Sequence, residues 1–502
     1  MRRYLLSVLL LLTGGATLSR AGDFDVRAVY VDHRTQVMTL PALKELALQA
    51  SRGGMNAMVV EYEASFPFQE NGTLCGPDAF TRDEVEDLVD YCASIGIEVI
   101  PLQNCFGHCE YILRHPRYAA LREDAHDLSQ VCPMRLDEAE GVFRSIFREI
   151  AAVHPSRYIH IGCDETRLLG HDRRCAAHVA EAGTSRLYVD YVARMCRIVR
   201  ELGKVPVIWG DIILQHPEAL ADLPKDLIVV DWNYGWSTRH FGDIDAVLEQ
   251  GITMWGASSL RSAPDNLYLV QWDKHFANLA TYLPFCREKG FSGIIQTSWS
   301  TSGVYHYISD NGFDIIDLQP VRQVYPMSGF NILLQAFYSA AGREEPLDVD
   351  AFIRSYASDR FGLAPEALPV LVDYFKMPQR EVTGASFTAA VIADELTRAR
   401  ALRQRMETVR PRRNVREMDH LRLALDIRVN YLEFKAVQRS FETAGADRAA
   451  LSADLRPVLK EAQALRRRFI RLQRGYLKDP ASCVGPWSYI HEMERLSDTL
   501  GR

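Results

Sequence analysis

The distribution of apolar residues divides the chain in two. In the first two thirds, short runs of nearly continuous Val, Ile and Leu recur between longer amphipathic stretches; from about residue 345 only helical periodicity remains. The runs are VRAVYVD (26–32), NAMVVEY (56–62), IEVIPLQ (97–103), RYIHIGC (157–163), VPVIWGD (205–211), DLIVVDW (226–232), ITMWGAS (252–258) and GIIQTSW (293–299). Continuous apolar character, rather than alternation, is what strands buried on both faces of a parallel sheet require. The stretches between them read as helices. In RDEVEDLVDYCASIG, for example, Val85, Leu88, Val89 and Cys92 share one face and Gly96 stands where a helix would end. Eight strands alternating with helices predict an α/β fold, a (β/α)8 TIM barrel over residues 22–339. A doubly wound open sheet is the rival, but no GxGxxG or Walker loop follows any of the runs.

Residues 340–502 predict a C-terminal α-helical domain packed on the barrel. Leu421, Leu425, Val429, Leu432 and Ala436 form one stripe; Leu455, Leu459, Ala462, Phe469, Leu472 and Tyr476 form another. Pro346, Pro411 and Pro457 punctuate this part, the last compatible with a first helical turn. The run Arg466-Arg467-Arg468 alternates with apolar positions and Glu, which favours a solvated helix surface over an anion site. The domain offers a surface for a homodimer or a rim for a binding site, and carries no chemistry of its own that the sequence names.

At the other end, Arg2 and Arg3 precede the apolar run LLSVLLLL (5–12) and then small residues up to Ala21. This is the pattern of a secretory signal peptide over residues 1–21, and it predicts an exported protein, secreted or periplasmic. The run is short for a membrane span, and no later stretch approaches one, so no span is expected once the leader is removed. An uncleaved anchor is the alternative. Loss of the leader would take away three arginines and move the net charge from −7 to −10. Neither value suits nucleic acid or an anionic membrane surface as partner. The 502 residues are 47% hydrophobic and 25% charged, which excludes a disordered, collagenous or disulfide-stapled miniature chain. Ten cysteines in an oxidising compartment could pair in part, but their spacing matches no zinc pattern. Asn71-Gly72-Thr73 is a glycosylation sequon.

In a TIM barrel, chemistry sits where the strands end. The ends expected here are Asp32-His33-Arg34, Glu61-Tyr62-Glu63, Gln103 to His108, Asp164-Glu165, Trp209-Gly210-Asp211, Trp232-Asn233-Tyr234, Trp255 and Trp299. Four of the seven tryptophans thus stand among carboxylates, amides and a histidine, as in the wall of a sugar pocket, where aromatic rings cover apolar C–H faces. A tryptophan at a strand end is otherwise simply a cap on the core. Asp164 and Glu165 directly follow the apolar YIHIGC, so they are expected at a buried rim. Neighbouring like charges there cannot both ionise cheaply, so one carboxyl should have a raised pKa and act as a general acid while its partner stays ionised.

The segment YIHIGCDETRLLG (158–170) resembles the His-x-Gly-Gly-Asp-Glu signature of glycoside hydrolase family 20, the β-N-acetylhexosaminidases, and within it the hexosaminidase D branch. IEVIPLQNCFGHCEYILRHPRYAALRE (97–123), VVEYEASFPF (59–68), PVIWGDIIL (206–214) and GIIQTSWSTSGVYHY (293–307) match in order, so the resemblance covers about residues 25–335. Cys163 replaces the second Gly of the signature. The resemblance implies a retaining, substrate-assisted mechanism without metal or organic cofactor, acting on glycans or glycoconjugates with terminal N-acetylhexosamine. It implies Glu165 as acid/base and Asp164 as the group that orients the acetamido nitrogen. It also implies His108 and His160 near the site, Trp209, Trp232, Trp255 and Trp299 as walls, Asp211 and Glu61 as hydroxyl binders, and Arg34 as the strand-one cation. Tyr234, Tyr268 and Tyr305 compete as the tyrosine that holds the acetamido group. A carboxylate expected two residues after Trp299 is absent; Thr301 stands there. Two other readings remain: a non-catalytic carbohydrate-binding barrel, and a metal-dependent hydrolase, against which Asp32-His33-Arg34 lacks a His-x-His pair.

Overall fold

Burial of both faces of each strand leads to a closed cylinder. The computed structural model describes residues 24–300, 327–443, 445–481 and 488–501, and the backbone alone of 305–309 and 316–320. The expected leader and Thr301 lie outside the described residues, and so does the Tyr305 side chain. Eight parallel strands pair in chain order: β1 (Val26–Asp32), β2 (Ala57–Glu61), β3 (Glu98–Leu102), β4 (Tyr158–His160), β5 (Val205–Trp209), β6 (Ile228–Trp232), β7 (Thr253–Arg261) and β8 (Gly293–Ser298). Pairing of β8 with β1 closes the barrel. An antiparallel hairpin, β9 (Tyr305–Ser309) and β10 (Ile316–Pro320), follows.

Around and between the strands lie α1 (Leu40–Arg52), α2 (Arg82–Ser94), α3 (Glu110–Leu113), α4 (Leu136–Val153), α5 (Arg173–Ala182), α6 (Thr184–Glu201), α7 (Ile244–Leu248), α8 (Trp272–Glu288) and α9 (Asn331–Ala341). The start of α2 is set by a capping box. Thr81 Oγ1 accepts the Glu84 N–H at 3.2 Å, and Glu84 Oε2 accepts the Thr81 N–H at 2.8 Å. Val85, Leu88, Val89 and Cys92 of this helix are buried, and Gly96 follows it with φ 77°. The barrel interior is filled by Ala28, Val59, Ile100, Val207, Val230 and Ile295, with Trp209 toward one end.

Trp255 belongs to the opposite end, which corrects its expected place in the pocket. β7 does not stop at Ser258 but continues through Arg261, so Trp255 is its third residue, paired with Gly293 at the start of β8. It plugs the bottom of the barrel against Tyr158, ring centroids 5.0 Å apart, and its Nε1–H donates to Ser292 Oγ at 3.1 Å. The polar tail of the strand is stable because its groups are satisfied by neighbours. Ser258 Oγ donates to Gln296 Oε1, and the Arg261 Nε–H donates to Ser298 Oγ, both at 2.6 Å.

The C-terminal part is helical as expected: α10 (Val349–Phe361), α11 (Leu368–Lys376), α12 (Ala389–Thr408), α13 (Val415–Phe441), α14 (Arg448–Gln473) and α15 (Tyr489–Gly501). Two details differ. Pro457 is the tenth residue of α14, not in its first turn, and Tyr476 lies beyond that helix, where its carbonyl accepts the Thr39 N–H of the barrel at 2.8 Å. No helix of the described residues is long and apolar enough to cross a membrane. The sequon residue Asn71 is buried, its Nδ2 donating to Ser145 Oγ at 2.9 Å and Glu149 Oε1 at 3.2 Å, so it presents no amide for a glycan in the folded state.

Tyr268 is a joint between barrel and helices. It stacks on Tyr431 of α13 with ring centroids 3.7 Å apart and planes 6° from parallel, outside the strand-end cavity, so it is removed from the competition for a ligand. Beneath it the buried Arg428 donates to the carbonyl of Tyr268 at 3.3 Å, to that of Arg380 at 2.7 Å and to Glu395 Oε2 at 2.8 Å. Removing one partner of a buried ion pair strands the other charge. Arg428→Leu is therefore expected to lower unfolding free energy by about 3 kcal/mol, measured by urea denaturation; a loss within experimental error would show the joint to be dispensable.

Candidate active site

A cavity of about 630 Å³ opens at the C-terminal end of the strands. Its lining includes Arg34, His108, Asp164, Glu165, Trp209, Asp211, Trp232, Tyr234 and Trp299, which brings together residues from the ends of β1, β3, β4, β5, β6 and β8. The motif-bearing loop after β4 leaves the strand early. Gly162, Cys163 and Glu165 have φ of 71°, 74° and 48°, and His108 in the loop after β3 has φ 53°. For non-glycine residues such conformations cost of order 1–3 kcal/mol each, so the surroundings must hold them. Glycine is needed where the loops touch: a Cβ on Gly162 would stand 1.9 Å from Asn104 Oδ1, and one on Gly107 would stand 2.1 Å from the Asp164 carbonyl oxygen. Three buried tyrosine hydroxyls brace the same loops, Tyr111 donating to Asn104 O, Tyr191 to Cys105 O and Tyr188 to Cys163 O, at 2.8, 2.7 and 3.0 Å.

This framework aims His108 between the two carboxylates. Its Nε2 is 3.3 Å from Asp164 Oδ2 and 3.3 Å from Glu165 Oε2. Burial works to lower the His108 pKa, but the Asp164 charge and the hydrogen bonds to both carboxylates prevail and raise it well above the usual range. For Glu165, burial works upward as the largest single influence. The His108 hydrogen bond and charge, with Arg167 and Arg34, outweigh it and hold the carboxyl at about 2. The expectation of a raised pKa within the Asp164-Glu165 pair is thus corrected for the open site: a cation between the groups removes the repulsion that would have raised one of them. The raised carboxyl is Asp211, pushed up to about 8 by burial and by the Asp164 charge. Asp211 Oδ2 accepts the Glu165 N–H at 2.9 Å and so positions the motif.

Other expected site residues lie under the floor. His160 is fully buried, its Nδ1 accepts the Gly162 N–H at 3.1 Å, and its ring packs on Trp209 at 4.4 Å. Burial holds its pKa at about 3, so it is a neutral support rather than a lining group. Glu61 sits behind Arg34, its oxygens taken by the Tyr30 hydroxyl and by Asn104 Nδ2 at 2.7 Å, with Arg34 Nε 3.4 Å away. Arg34 itself is oriented by Asp32, Nη2 to Oδ2 3.0 Å, and lies over the Trp299 ring at 5.4 Å. Of the three tyrosines, Tyr234 lines the cavity, and its hydroxyl accepts the Trp299 indole N–H at 2.8 Å.

The sequence reading missed Arg167, Trp236, His240, Phe241 and Ser262, which also line the cavity. Arg167, two residues past Glu165, donates to its Oε1. Trp236 is turned back by Asn233, whose Oδ1 accepts the N–H groups of Gly235 and Trp236 at 2.9 and 3.1 Å. The aromatic run WNYGW was the available signal for that wall.

A strand-end cavity with adjacent acid residues, a bridging histidine and a tryptophan lining has the chemistry expected of a carbohydrate-binding barrel. Residues 32–279 match the model of the Glycosyl hydrolase family 20 catalytic domain. Hexosaminidase D of Bos taurus is 25% identical over 292 residues, covering 55% of this chain and 84% of the bovine protein. Hexosaminidase D of Homo sapiens is 25% identical over 316 residues, 58% of this chain and 64% of its own length, so the chain spans just under two thirds of that relative. A β-N-acetylhexosaminidase structure from Bacteroides fragilis superposes with a TM-score of 0.50 at 17% identity, over 67% of this chain and 69% of that one, a likeness of fold. The barrel is a glycoside hydrolase family 20 catalytic domain, and the protein is a glycoside hydrolase.

The Asp211 shift carries a sign that can be measured. From about pH 4 to about pH 8 the folded protein keeps a proton on Asp211 that the unfolded chain has released, so this group makes stability fall as pH rises through that window. Asp211→Asn is expected to flatten the slope of unfolding free energy against pH there; an unchanged slope would remove the raised carboxyl from the account.

Proposed function

We propose that the protein is an exo-acting, retaining β-N-acetylhexosaminidase that releases terminal β-linked GlcNAc or GalNAc from glycans, with the substrate's own 2-acetamido group as nucleophile. The observation that carries this reading is the Asp164 carboxylate. One oxygen is held by His108; the other is buried beside the tryptophan-lined cavity with no hydrogen-bond donor among the described residues. Such an oxygen costs about 1–3 kcal/mol, which an acetamido N–H would return. The same carboxylate then steadies the positive nitrogen of the oxazolinium ring as the acetamido oxygen attacks the anomeric carbon. The Tyr234 hydroxyl, which hydrogen-bonds with Trp299 and Thr297, is the group offered to the acetamido oxygen, while Trp209, Trp232 and Trp299 offer apolar faces to the sugar. Asp211, protonated below about pH 8 and bound to the Glu165 backbone, is a poor competing nucleophile. The hexosaminidase names of the relatives agree with this reading.

Glu165 protonates the departing glycosidic oxygen and then takes a proton from the water that opens the oxazolinium ring. It must first gain a proton. The Arg167 side chain that helps to hold it ionised is 76% exposed and free to yield to a ligand. An entering sugar that displaces Arg167 and excludes water removes one influence that holds the Glu165 pKa down and strengthens burial, the largest influence raising it, against the His108 hydrogen bond and charge, which remain. The exported location expected from residues 1–21 belongs to the same proposal, and sequencing of the mature N-terminus tests it.

Glu165→Gln is expected to lower turnover by about 10²–10⁴-fold, most for poor leaving groups; equal rates across leaving groups would remove its acid role. Asp164→Asn should weaken both turnover and inhibition by a thiazoline mimic of the intermediate, and a variant that keeps both would overturn participation by the acetamido group. Arg167→Ala raises the Glu165 pKa in the free enzyme, so the alkaline limb of kcat/KM should move to higher pH; a limb that stays in place counts against Glu165 as the titrating acid. Binding of N-acetylhexosaminides by the wild type without release would identify a lectin instead. Paired gluco- and galacto-configured substrates measure the epimer preference.

A further inference from the structure

Away from the catalytic cavity, three buried side chains converge between the two loops that form its rim. Glu123 lies on the segment from β3 to α4, Cys132 just ahead of α4, and Cys175 in the first turn of α5; their exposures are 3%, 0% and 0%. Cys175 Sγ is 3.5 Å from Cys132 Sγ and 3.1 Å from Glu123 Oε2. One donor atom from each residue lies within 4.8 Å of the other two. Leu169, Val179 and Leu187 close the surroundings with apolar groups, and the second Glu123 oxygen accepts the Asp172 N–H at 2.9 Å, which fixes the carboxylate. None of the three ligand candidates lines the catalytic cavity.

We propose that Cys132, Cys175 and Glu123 form a structural site for a thiophilic divalent cation of the zinc type. Zinc sits about 2.3 Å from thiolate sulfur and about 2.0–2.2 Å from carboxylate oxygen. Tetrahedral ligands at those lengths stand about 3.8 Å apart for two sulfurs and about 3.6 Å for sulfur and oxygen. The observed 3.5 and 3.1 Å need only a few tenths of an ångström of expansion to admit the ion. Two thiolates select a soft metal over magnesium or calcium, and their protons pass to solvent as the metal enters. Three protein ligands leave one tetrahedral position for a water molecule. The other close sulfur pair, Cys105 and Cys163 at 3.7 Å, makes a useful contrast: no carboxylate or imidazole among the described residues joins it in a comparable cluster.

The site's place in the fold gives it a task. The chain from Glu165 and Arg167 runs through Leu168, whose N–H donates to Gln130 at 2.8 Å, and Leu169 to Cys175. The segment from His108 runs to Glu123 and Cys132. A metal held by all three residues ties the loop that carries the acid to the loop that carries its bridging histidine. It acts as a clip on those loops and touches no substrate, and it stands whether or not the hexosaminidase reading holds.

The test uses the full chain purified without chelator. Close to one zinc per chain is expected by elemental analysis. Exchange with cobalt(II) should produce a thiolate-to-cobalt charge-transfer band with visible bands of tetrahedral intensity. Chelation should lower the thermal midpoint, and added zinc should restore it. Cys132→Ser and Cys175→Ser should lose both metal and band, while Cys92→Ala, remote from the site, keeps them. Should the serine variants fail to fold, the wild-type cobalt spectrum decides. Reduced wild-type protein that holds no metal and gives no thiolate band would overturn the proposal, as would a Cys132–Cys175 disulfide found by peptide mass spectrometry of the purified protein.

Discussion

One imidazole between two adjacent carboxylates governs the site. Asp164 and Glu165 are neighbours in the chain at a rim with little water, and without a cation between them their mutual repulsion would expel one from its ionised state. His108 meets both at 3.3 Å. It can do so because the loops after β3 and β4 approach so closely that only glycine fits at positions 107 and 162. The backbone strain at His108, Cys163 and Glu165 is the cost of this arrangement, and the buried hydroxyls of Tyr111, Tyr188 and Tyr191 help to hold it.

The proposed mechanism therefore requires a working charge state that differs from the resting one. His108, Arg167 and Arg34 hold Glu165 ionised in the open site, and the proposed mechanism has its proton affinity rise when a ligand displaces Arg167. Asp211 follows the opposite logic. Deep burial beside Asp164 keeps it protonated below about pH 8, and its Oδ2 accepts the Glu165 N–H. Two carboxyls of similar chemistry thus divide into one held ionised by its cationic neighbours and one held protonated by burial, which fixes geometry.

The fold and the motif were legible because both are local. Continuous apolar runs announce strands buried on two faces, and eight of them close a barrel; the Asp164-Glu165 pair follows one of them at once, so its place at a strand end needed no long-range knowledge. Trp209, Trp232 and Trp299 were legible on the same rule. Trp255 was not, because the apolar run was mistaken for the whole of β7, whose polar half is stabilised by Gln296 and Ser298 on the neighbouring strand. Tyr268 was misplaced for a similar reason: its partner, Tyr431, lies more than 160 residues away in the chain. Residues such as Trp236 and His240 enter the cavity only because a loop turns back on itself.

The sequence by itself determined the periodicities, and with them the barrel, the helical C-terminal part and the place of Asp164 and Glu165 at a strand end, since each depends on residues near one another along the chain. The tertiary structure decided which end of a strand faces the cavity, which tyrosine reaches it, which carboxyl holds a proton and which cysteines meet. Those outcomes depend on burial, charge and distance between segments far apart in the chain, and these quantities exist only once the barrel has closed.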